Sequence, residues 1–246
     1  MKKIITTVLF IGFISTVFAQ AVDSLDTKTK KDWSKVSLAG RPNDHFMLQL
    51  GYAGWSGAPD SINIKGFSKS FNVYFMLDFP FKTDPRFSVA IGPGIGTDNI
   101  KFENTYIGVK DQTSTLRFQD LSDTNHFKKY KLVSAFLEAP VELRFSSNPL
   151  DNKKSFKFAL GLKVGTLLDI HTKGKEWVTK SGSTLNNYSE KEKKKDYFNK
   201  NRLSATARIG KGNFTLYGSY QLGPLIKEGL GPSIKPYSIG LTLSGL

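Results

Sequence analysis

The sequence contains no cysteine, which excludes disulfides, thiol catalysis and cysteine-ligated metal sites. Histidine is scarce as well, since only three are present, at His45, His126 and His171. An imidazole metal site needs clustered ligands, so three scattered histidines argue against one. Beyond residue 18, no apolar run approaches the roughly 20 residues that a membrane-spanning helix needs. We therefore predict no metal site and no helical membrane span.

The first 19 residues have the pattern of a secretory signal peptide. Lys2 and Lys3 precede an apolar run that extends from Ile4 to Phe18, and Val17-Phe18-Ala19 is a small-x-small cleavage pattern. The run is about 15 residues long, which is short for a spanning helix. We expect cleavage after Ala19, with an uncleaved anchor as the alternative. Residues 20–43 are polar and lysine-rich, and we expect them to form a periplasmic N-terminal segment.

Positive charge dominates the chain, with a formal net charge of +14. Such an excess favours anionic partners. For an exported protein these are membrane lipid phosphates, and nucleic acid is not predicted. The segment 171–202 is especially basic, with nine Lys and Arg against four Asp and Glu. It is either a solvated surface loop or a contact with lipid phosphates or a protein partner.

Strict alternation of apolar and polar residues is clearest from Phe136 to Phe145. Its odd-numbered positions are apolar, whereas the even-numbered ones include Glu138, Glu142 and Arg144. Such alternation is typical of a β-strand with two unlike faces. No helical pattern accompanies it that could cover the apolar face. We therefore expect the apolar face to contact lipid and the charged face to line a closed barrel.

Eight segments with this alternation are predicted as strands. They are 45–54, 70–79, 86–96, 136–145, 156–168, 203–209, 214–222 and 237–244. Their connections alternate between short and long, as in outer-membrane barrels with short periplasmic turns and long extracellular loops. The prediction is an all-β fold, an eight-stranded antiparallel up-and-down transmembrane β-barrel over residues 44–246. The protein would then lie in the bacterial outer membrane, with both termini in the periplasm.

Face parity also predicts the register and the contents of the lumen. If Phe145 is opposite Phe156, then Glu138 is opposite Lys163, and a Lys211-Gly212 hairpin loop would pair Ile209 with Phe214. An eight-stranded barrel is just wide enough to be filled by side chains, and charges inside it must pair. We therefore expect a structural, salt-bridged cluster, with a proton or ion path or paired catalytic carboxylates as the alternative. Its predicted members are Asp78, Arg86, Glu138, Glu142, Arg144, Lys157, Lys163 and Arg208.

Proline and glycine mark two further features of the predicted strands. Pro140 lies in mid-strand and lacks a backbone N–H, so a bulge is expected there. The glycine-rich stretch from Gly92 to Gly96 looks like a phosphate-binding loop, but no helix or Lys-Ser/Thr pair follows it. Glycines that face the interior of a narrow barrel explain it better. No cofactor is therefore predicted.

Three segments resemble one known family. The sequence Phe-Leu-Glu-Ala-Pro-Val-Glu-Leu-Arg-Phe at 136–145 is similar to a strand of the PorT-like outer-membrane β-barrel family of Bacteroidetes. Gly161-x-x-x-Gly165-Thr-Leu-Leu and Tyr237-Ser-Ile-Gly-Leu-Thr-Leu resemble two more of its strands. The resemblance implies an eight-stranded barrel without enzymatic activity that is associated with a secretion machinery.

The predicted function is that of a small non-enzymatic outer-membrane barrel with a filled lumen and a structural or interaction role. The expected partners are outer-membrane lipids and an envelope or secretion-system protein. One alternative is a rim enzyme acting on lipid or peptide, for which His171 near Asp169 is the candidate pair. The other is a soluble lipocalin-like binder, whose interior would have to be apolar.

Overall fold

The computed structural model describes residues 45–151 and 153–245. The predicted signal peptide, the predicted periplasmic segment and Leu246 lie outside the described residues. The described part contains thirteen strands. None of its residues forms a helix that is long and apolar enough to cross a membrane. The strands are β1 (Phe46–Ser56), β2 (Lys69–Phe75), β3 (Leu77–Pro80), β4 (Phe87–Ile91), β5 (Gly94–Phe102), β6 (Thr105–Ile107), β7 (Phe118–Asp120), β8 (His126–Ser146), β9 (Phe156–Val178), β10 (Thr184–Lys193), β11 (Asn201–Lys211), β12 (Phe214–Gln221) and β13 (Lys235–Ser244).

Eleven of these strands form one sheet, in the order β10-β9-β11-β12-β13-β1-β2-β5-β8-β4-β3. An additional pairing of β8 with β9 closes the sheet, and all its pairings are antiparallel. The closed ring contains eight strands, while β3, β4 and β10 pair outside it. The predicted closed antiparallel barrel is therefore confirmed. The predicted total of eight strands is not confirmed, because the ring has eight strands but the whole sheet has eleven.

Two predicted strands are each divided in two. The segment 70–79 is interrupted between β2 and β3 at Met76, and 86–96 is interrupted between β4 and β5 at Gly92 and Pro93. Proline offers no backbone N–H to a ladder. A Cβ at Gly92 would lie 1.8 Å from the carbonyl oxygen of Phe75, so the chains approach too closely there for any other residue. The ladder consequently breaks at this point.

Pro140 is accommodated at the same break. β8 pairs with β5 up to Glu138 and with β4 from Val141 onward. Pro140 therefore passes a neighbour whose ladder is already interrupted, and its pairing with Lys163 of β9 involves no register shift. The shift between β8 and β9 lies instead at Ala135 and Phe136. The prediction of a bulge at Pro140 is therefore wrong.

The predicted register of the two hairpins is also wrong, by two residues in each. Phe145 pairs with Phe158, and Ile209 pairs with Leu216. In the second hairpin β11 continues to Lys211, which pairs with Phe214. The two-residue loop is therefore Gly212-Asn213, and Gly212 has the positive φ of 64° that such a loop requires.

The barrel has two distinct ends. The end with the connections 81–86, 147–155 and 212–213, which we call the turn end, also holds the first and last described residues. The opposite end, the loop end, has the long connections 57–68, 103–125, 179–200 and 222–234. β8 and β9 extend far beyond their predicted bounds towards the loop end, to lengths of 21 and 23 residues.

The outward face of the ring is apolar and the inward face is polar. The exposed apolar side chains include Leu50, Ile95, Leu137, Val141, Leu143, Leu160, Leu162, Val164, Leu216, Ile239 and Leu241. The buried polar ones include Gln49, Asn72, Glu138, Glu142, Lys163, Arg202, Arg208 and Thr242. This is the inverse of a soluble barrel with an apolar interior, so it contradicts the lipocalin-like alternative.

A separate hydrophobic core lies at the loop end. Its buried members come from all four long connections as well as from the strand ends: Trp55, Ile62, Ile100, Phe102, Ile107, Val109, Leu116, Leu132, Phe136, Ile170, Tyr197, Phe198, Leu225, Ile226 and Ile234 are among them. Backbone hydrogen bonds tie the connections together, for example from Leu116 N to the Leu230 carbonyl oxygen at 2.7 Å. We call this assembly the apolar cap.

Candidate functional site

The interior of the barrel contains two clusters of ionisable side chains. In the first cluster, Glu138 accepts hydrogen bonds from Tyr74 Oη at 2.6 Å and from Arg202 Nε at 2.7 Å. Lys163 Nζ donates to the same carboxylate at 3.3 Å, and Arg202 Nη1 also donates to Asp98 at 3.1 Å. Two acids thus face two bases. The group is electrically balanced, and all four charged side chains are at most 13% exposed.

The second cluster lies nearer the turn end. Glu142 accepts from Arg208 Nη2 at 2.6 Å and from Arg144 Nε at 2.9 Å. Arg144 Nη1 is 3.7 Å from Asp78, which also accepts a hydrogen bond from the Ser88 hydroxyl at 2.7 Å. Again two acids face two bases. Because a buried ion is tolerated only when it is paired, this balance makes both clusters stable as closed units.

Most of the predicted lumen residues therefore meet in these clusters. They are Asp78, Glu138, Glu142, Arg144, Lys163 and Arg208. Arg86 lies elsewhere, because it forms a forked ion pair with Asp84 at the turn end, where its side chain is 36% exposed. Lys157 is half-buried near the same end and pairs in register with Ser146.

Glu138 and Lys163 interact without being directly opposite each other. In the observed register Glu138 pairs with Gly165, and Lys163 pairs with Pro140. The two side chains meet diagonally, which long side chains on one face can do. The predicted contact is therefore present, although the direct pairing from which it was derived is wrong.

Two cluster residues were not predicted. Asp98 was assigned to a polar stretch that in fact continues β5, and Arg202 to a loop that in fact begins β11. Continued parity was the signal that could have identified them, since Asp98 follows the inward-facing Gly96 by two residues and Arg202 precedes Ser204 by two. Gly96 makes room for the cluster, because a Cβ there would lie 2.3 Å from a Glu138 oxygen.

Small cavities are lined by the interior side chains. The two cavities found among the described interior residues measure about 10 Å³ each. That is about the size needed for a single water molecule. Above them Arg202 stacks on the Phe136 ring, with its guanidinium carbon 3.9 Å from the ring centroid. Phe136 belongs to the apolar cap, so the cap rests directly on the first charged cluster.

The candidate catalytic pair lies on the outward face of β9. His171 Nδ1 is 2.8 Å from Asp169 Oδ2, and Lys193 forms an ion pair with the same carboxylate. Burial alone would raise the pKa of Asp169, but hydrogen bonds from Lys193 and His171 hold it below its usual value. Burial lowers the pKa of His171. A rim enzyme would need a serine or second acid beside this pair, and over the described residues neither is found within hydrogen-bonding distance of His171 or Asp169.

A metal ion has no obvious site in the part of the chain that the structure describes. Over these residues no group of three or more His, Asp and Glu side chains is arranged to hold one. The charged clusters consist of alternating acids and bases, and a base within 4.0 Å of each carboxylate occupies the position of a cation.

Comparison with solved structures gives distant matches. Two structures of Ail, the attachment invasion locus protein of Yersinia pestis, are 13% and 15% identical in sequence and have a TM-score of 0.32. They cover 81% and 82% of this chain and 96% and 97% of the Ail chain. One of them is a complex of Ail with the heparin analogue sucrose octasulfate. No curated protein matches the chain.

A family model gives the broader assignment. The model described as outer membrane protein beta-barrel domain matches residues 35–227, which include all strands from β1 to β12. The match supports an outer-membrane localisation and does not single out the PorT-like group within such barrels. Since it spans far more than half of the chain, and since the strands close into a barrel with an apolar outer face, the chain belongs to the outer membrane protein beta-barrel domain family.

Proposed function

We propose that this protein is a small non-enzymatic outer-membrane barrel whose lumen stays filled and which acts as a structural or interaction protein. The observation that carries the proposal is the pair of charge-balanced clusters inside the ring, covered by the apolar cap. A barrel built to pass solutes needs a continuous aqueous path. Here two cavities among the described interior side chains each have about the volume of a single water molecule.

The energetics also favour a permanent plug. Opening the lumen would require the separation of Glu138 from Arg202 and Lys163, and of Glu142 from its two arginines. Breaking a buried ion pair by loss of one partner costs about 3–5 kcal/mol. Two such clusters make a spontaneously opening channel unfavourable.

The orientation that we propose places the turn end in the periplasm and the loop end outside the cell. Short periplasmic turns and long outer loops are the common arrangement in such barrels. Outer-membrane lipids then surround the apolar outer face. The exposed side of the long connections and the long β8–β9 extension are the surfaces available to an envelope protein. A secretion-associated role, which the PorT-like resemblance implies, is the finer form of this proposal.

Conductance in planar lipid bilayers tests the filled lumen. The full chain is refolded and inserted beside a large open porin as a positive control. We expect no current above the bilayer leak, and steady ionic current through singly inserted barrels would contradict the proposal. The interaction role is tested by crosslinking in intact outer membranes followed by purification. Recovery of the protein in the soluble periplasmic fraction would overturn the membrane assignment itself.

A further inference from the structure

A row of lysines crosses four neighbouring strands at the loop end. Lys101 of β5 pairs directly with Lys131 of β8, which pairs with Lys173 of β9, which pairs with Lys191 of β10. Directly paired residues lie on the same face of a sheet, about 4.5–5.5 Å apart, and like charges in this arrangement are destabilising. A row of four directly paired lysines therefore needs a counter-charge.

More lysines surround the row. Lys129 and Lys175 form the next like-charged pair along β8 and β9. A cavity of about 670 Å³ opens beside them. Its lining consists of Lys65, Gly66, Phe67, Lys101, Phe102, Lys128, Lys129, Tyr130, Lys131, Lys173 and Lys175. We call Lys101, Lys129, Lys131, Lys173, Lys175 and Lys191 the lysine surface.

Few carboxylates neutralise this surface. Glu176 pairs with Lys128 and Lys129, at 2.9 and 3.3 Å. Glu192 of β10 lies on the opposite face of its strand, where it accepts a hydrogen bond from Tyr106. Over the described residues, no ion pair joins a carboxylate to Lys101, Lys173, Lys175 or Lys191.

The central lysines show the resulting repulsion. Lys131 and Lys173 are half-buried, and Lys131 Nζ donates to the neutral Asn99 side chain at 2.8 Å. Burial lowers the pKa of Lys131, and the charges of Lys173, Lys101 and Lys175 lower it further. An anion placed over the row would relieve this repulsion.

The position of the surface relative to the apolar outer face suggests the source of that anion. Lys131 projects from the same face of β8 as Leu137, which is 45% exposed and belongs to the apolar band. Half-buried Val133 and Ala135 lie between them. At about 3.3 Å per residue and a strand tilt of about 40°, Lys131 is about 5 Å above Val133 and about 15 Å above Leu137 along the membrane normal. The outward-facing, ion-paired Asp169 pairs with Ala135, so the polar headgroup region, which adds about 5–8 Å to each side of the hydrocarbon, begins near Ala135. Lys131 lies at the outer edge of that region, where a lysine side chain can bend back towards the membrane.

We propose that the lysine surface binds the phosphate groups of lipid headgroups in the leaflet at the loop end. The inference rests on the proposed function, because it requires that the ring spans a membrane. Lysine ammonium groups bind phosphate as compact point charges. The row faces outward from the barrel wall, beyond the apolar band and the polar pair Asp169–His171, where lipid headgroups are the nearest anionic groups. Lipid phosphate is therefore the counter-charge that the row needs.

Lipid retention measured by native mass spectrometry tests this assignment. The full chain in detergent is titrated with phosphatidic acid, with phosphatidylcholine, and separately with inositol hexakisphosphate as a soluble polyphosphate. The test variant is Lys131→Gln with Lys173→Gln. The matched control is Lys82→Gln with Lys154→Gln, which removes two exposed charges at the turn end. Each lysine that is replaced should lower the affinity for an anionic headgroup about fivefold.

We expect the wild-type protein to retain phosphatidic acid in preference to phosphatidylcholine. The test variant should bind phosphatidic acid about 25-fold more weakly, while the control changes less than twofold. Because the test variant removes a repulsion, its Tm without added lipid should rise. Equal retention by the test variant and the wild type would overturn the site. Tight binding of inositol hexakisphosphate without binding of phosphatidic acid would overturn the lipid source.

Insertion into liposomes separates this inference from the proposed function. A wild-type barrel that inserts, stays non-conducting and yet shows no preference for phosphatidic acid refutes the lysine surface and leaves the proposed function standing. A chain that does not insert, or that conducts, refutes the proposed function.

Discussion

Replacement of Arg202 by methionine removes the central cation of the first interior cluster. Methionine keeps much of the apolar stem while it deletes the guanidinium. Four contacts disappear: two to Glu138, from Nε at 2.7 Å and from Nη2 at 2.5 Å, the hydrogen bond to Asp98 at 3.1 Å, and the stacking on Phe136 at 3.9 Å. The cluster then holds two carboxylates and one ammonium group.

The expected loss of stability follows from burial. The Glu138 side chain is fully buried and that of Arg202 is 5% exposed, so water cannot replace the missing cation. Removing one partner of a buried pair destabilises by about 3–5 kcal/mol. Adding Asp98→Asn to Arg202→Met restores the charge balance, and we expect it to recover about 0.5–3 kcal/mol as a coupling energy.

Reversible urea unfolding of the refolded barrel in detergent micelles measures these changes. Folded protein is quantified by its altered migration on unheated gels and by tryptophan fluorescence. Lys180→Met is the control, because Lys180 pairs with Asp123 where both side chains are exposed, and its loss should leave the midpoint almost unchanged. If Arg202→Met changed the free energy of unfolding by less than about 1 kcal/mol, the plug would not be the stabilising unit described here.

Three further changes test other parts of the structure. Gly96→Ala places a Cβ 2.3 Å from Glu138 and 2.8 Å from Arg202, and should destabilise the barrel by about 1–3 kcal/mol in urea unfolding, whereas Gly218→Ala, with nothing within 4 Å, should be nearly neutral. Val141→Arg puts a charge on the lipid-facing side of β8 and should cost about 2–4 kcal/mol in bilayers, with Lys82→Arg as an unaffected control. The pKa of Asp169 is lower in the folded state than in the unfolded state. Its contribution to the free energy of unfolding is therefore complete above the unfolded aspartate pKa of about 4, and it is lost as the pH falls through the lower folded-state pKa. Asp169→Asn should remove that part of the acid dependence of unfolding, and an unchanged pH profile would contradict the ion pair with Lys193.

The barrel class and the inward charges were predictable because side-chain alternation is a local property. In a strand with two unlike environments, every second residue reports the same face. Leu137, Val141 and Leu143 are exposed, while Glu138 and Glu142 are buried between them, as the alternation indicates. The same logic includes Asp98 and Arg202 when the predicted strands are extended by two residues and by one residue, respectively.

Register was not predictable from parity, and the reason is geometric. A slip of two residues leaves every side chain on its own face, so Phe145 opposite Phe156 and Phe145 opposite Phe158 satisfy the pattern equally well. Turn geometry decides between them. In the β11–β12 hairpin, the positive φ of Gly212 selects the Gly212-Asn213 loop.

By itself, the sequence determined that the chain forms membrane-facing strands around a charged interior, because burial follows a period of two along each strand. Only the tertiary structure decided which charges pair, because Arg202 and Glu138 are separated by 64 positions and meet only when β11 and β8 both pair with β9 at Gly165. It also decided that scattered apolar residues such as Ile62, Leu116 and Ile234 form the cap, since they show no periodicity before the long connections fold together. The lysine row has the same origin: its four members are far apart in the chain, and the register of β5, β8, β9 and β10 alone brings them into line.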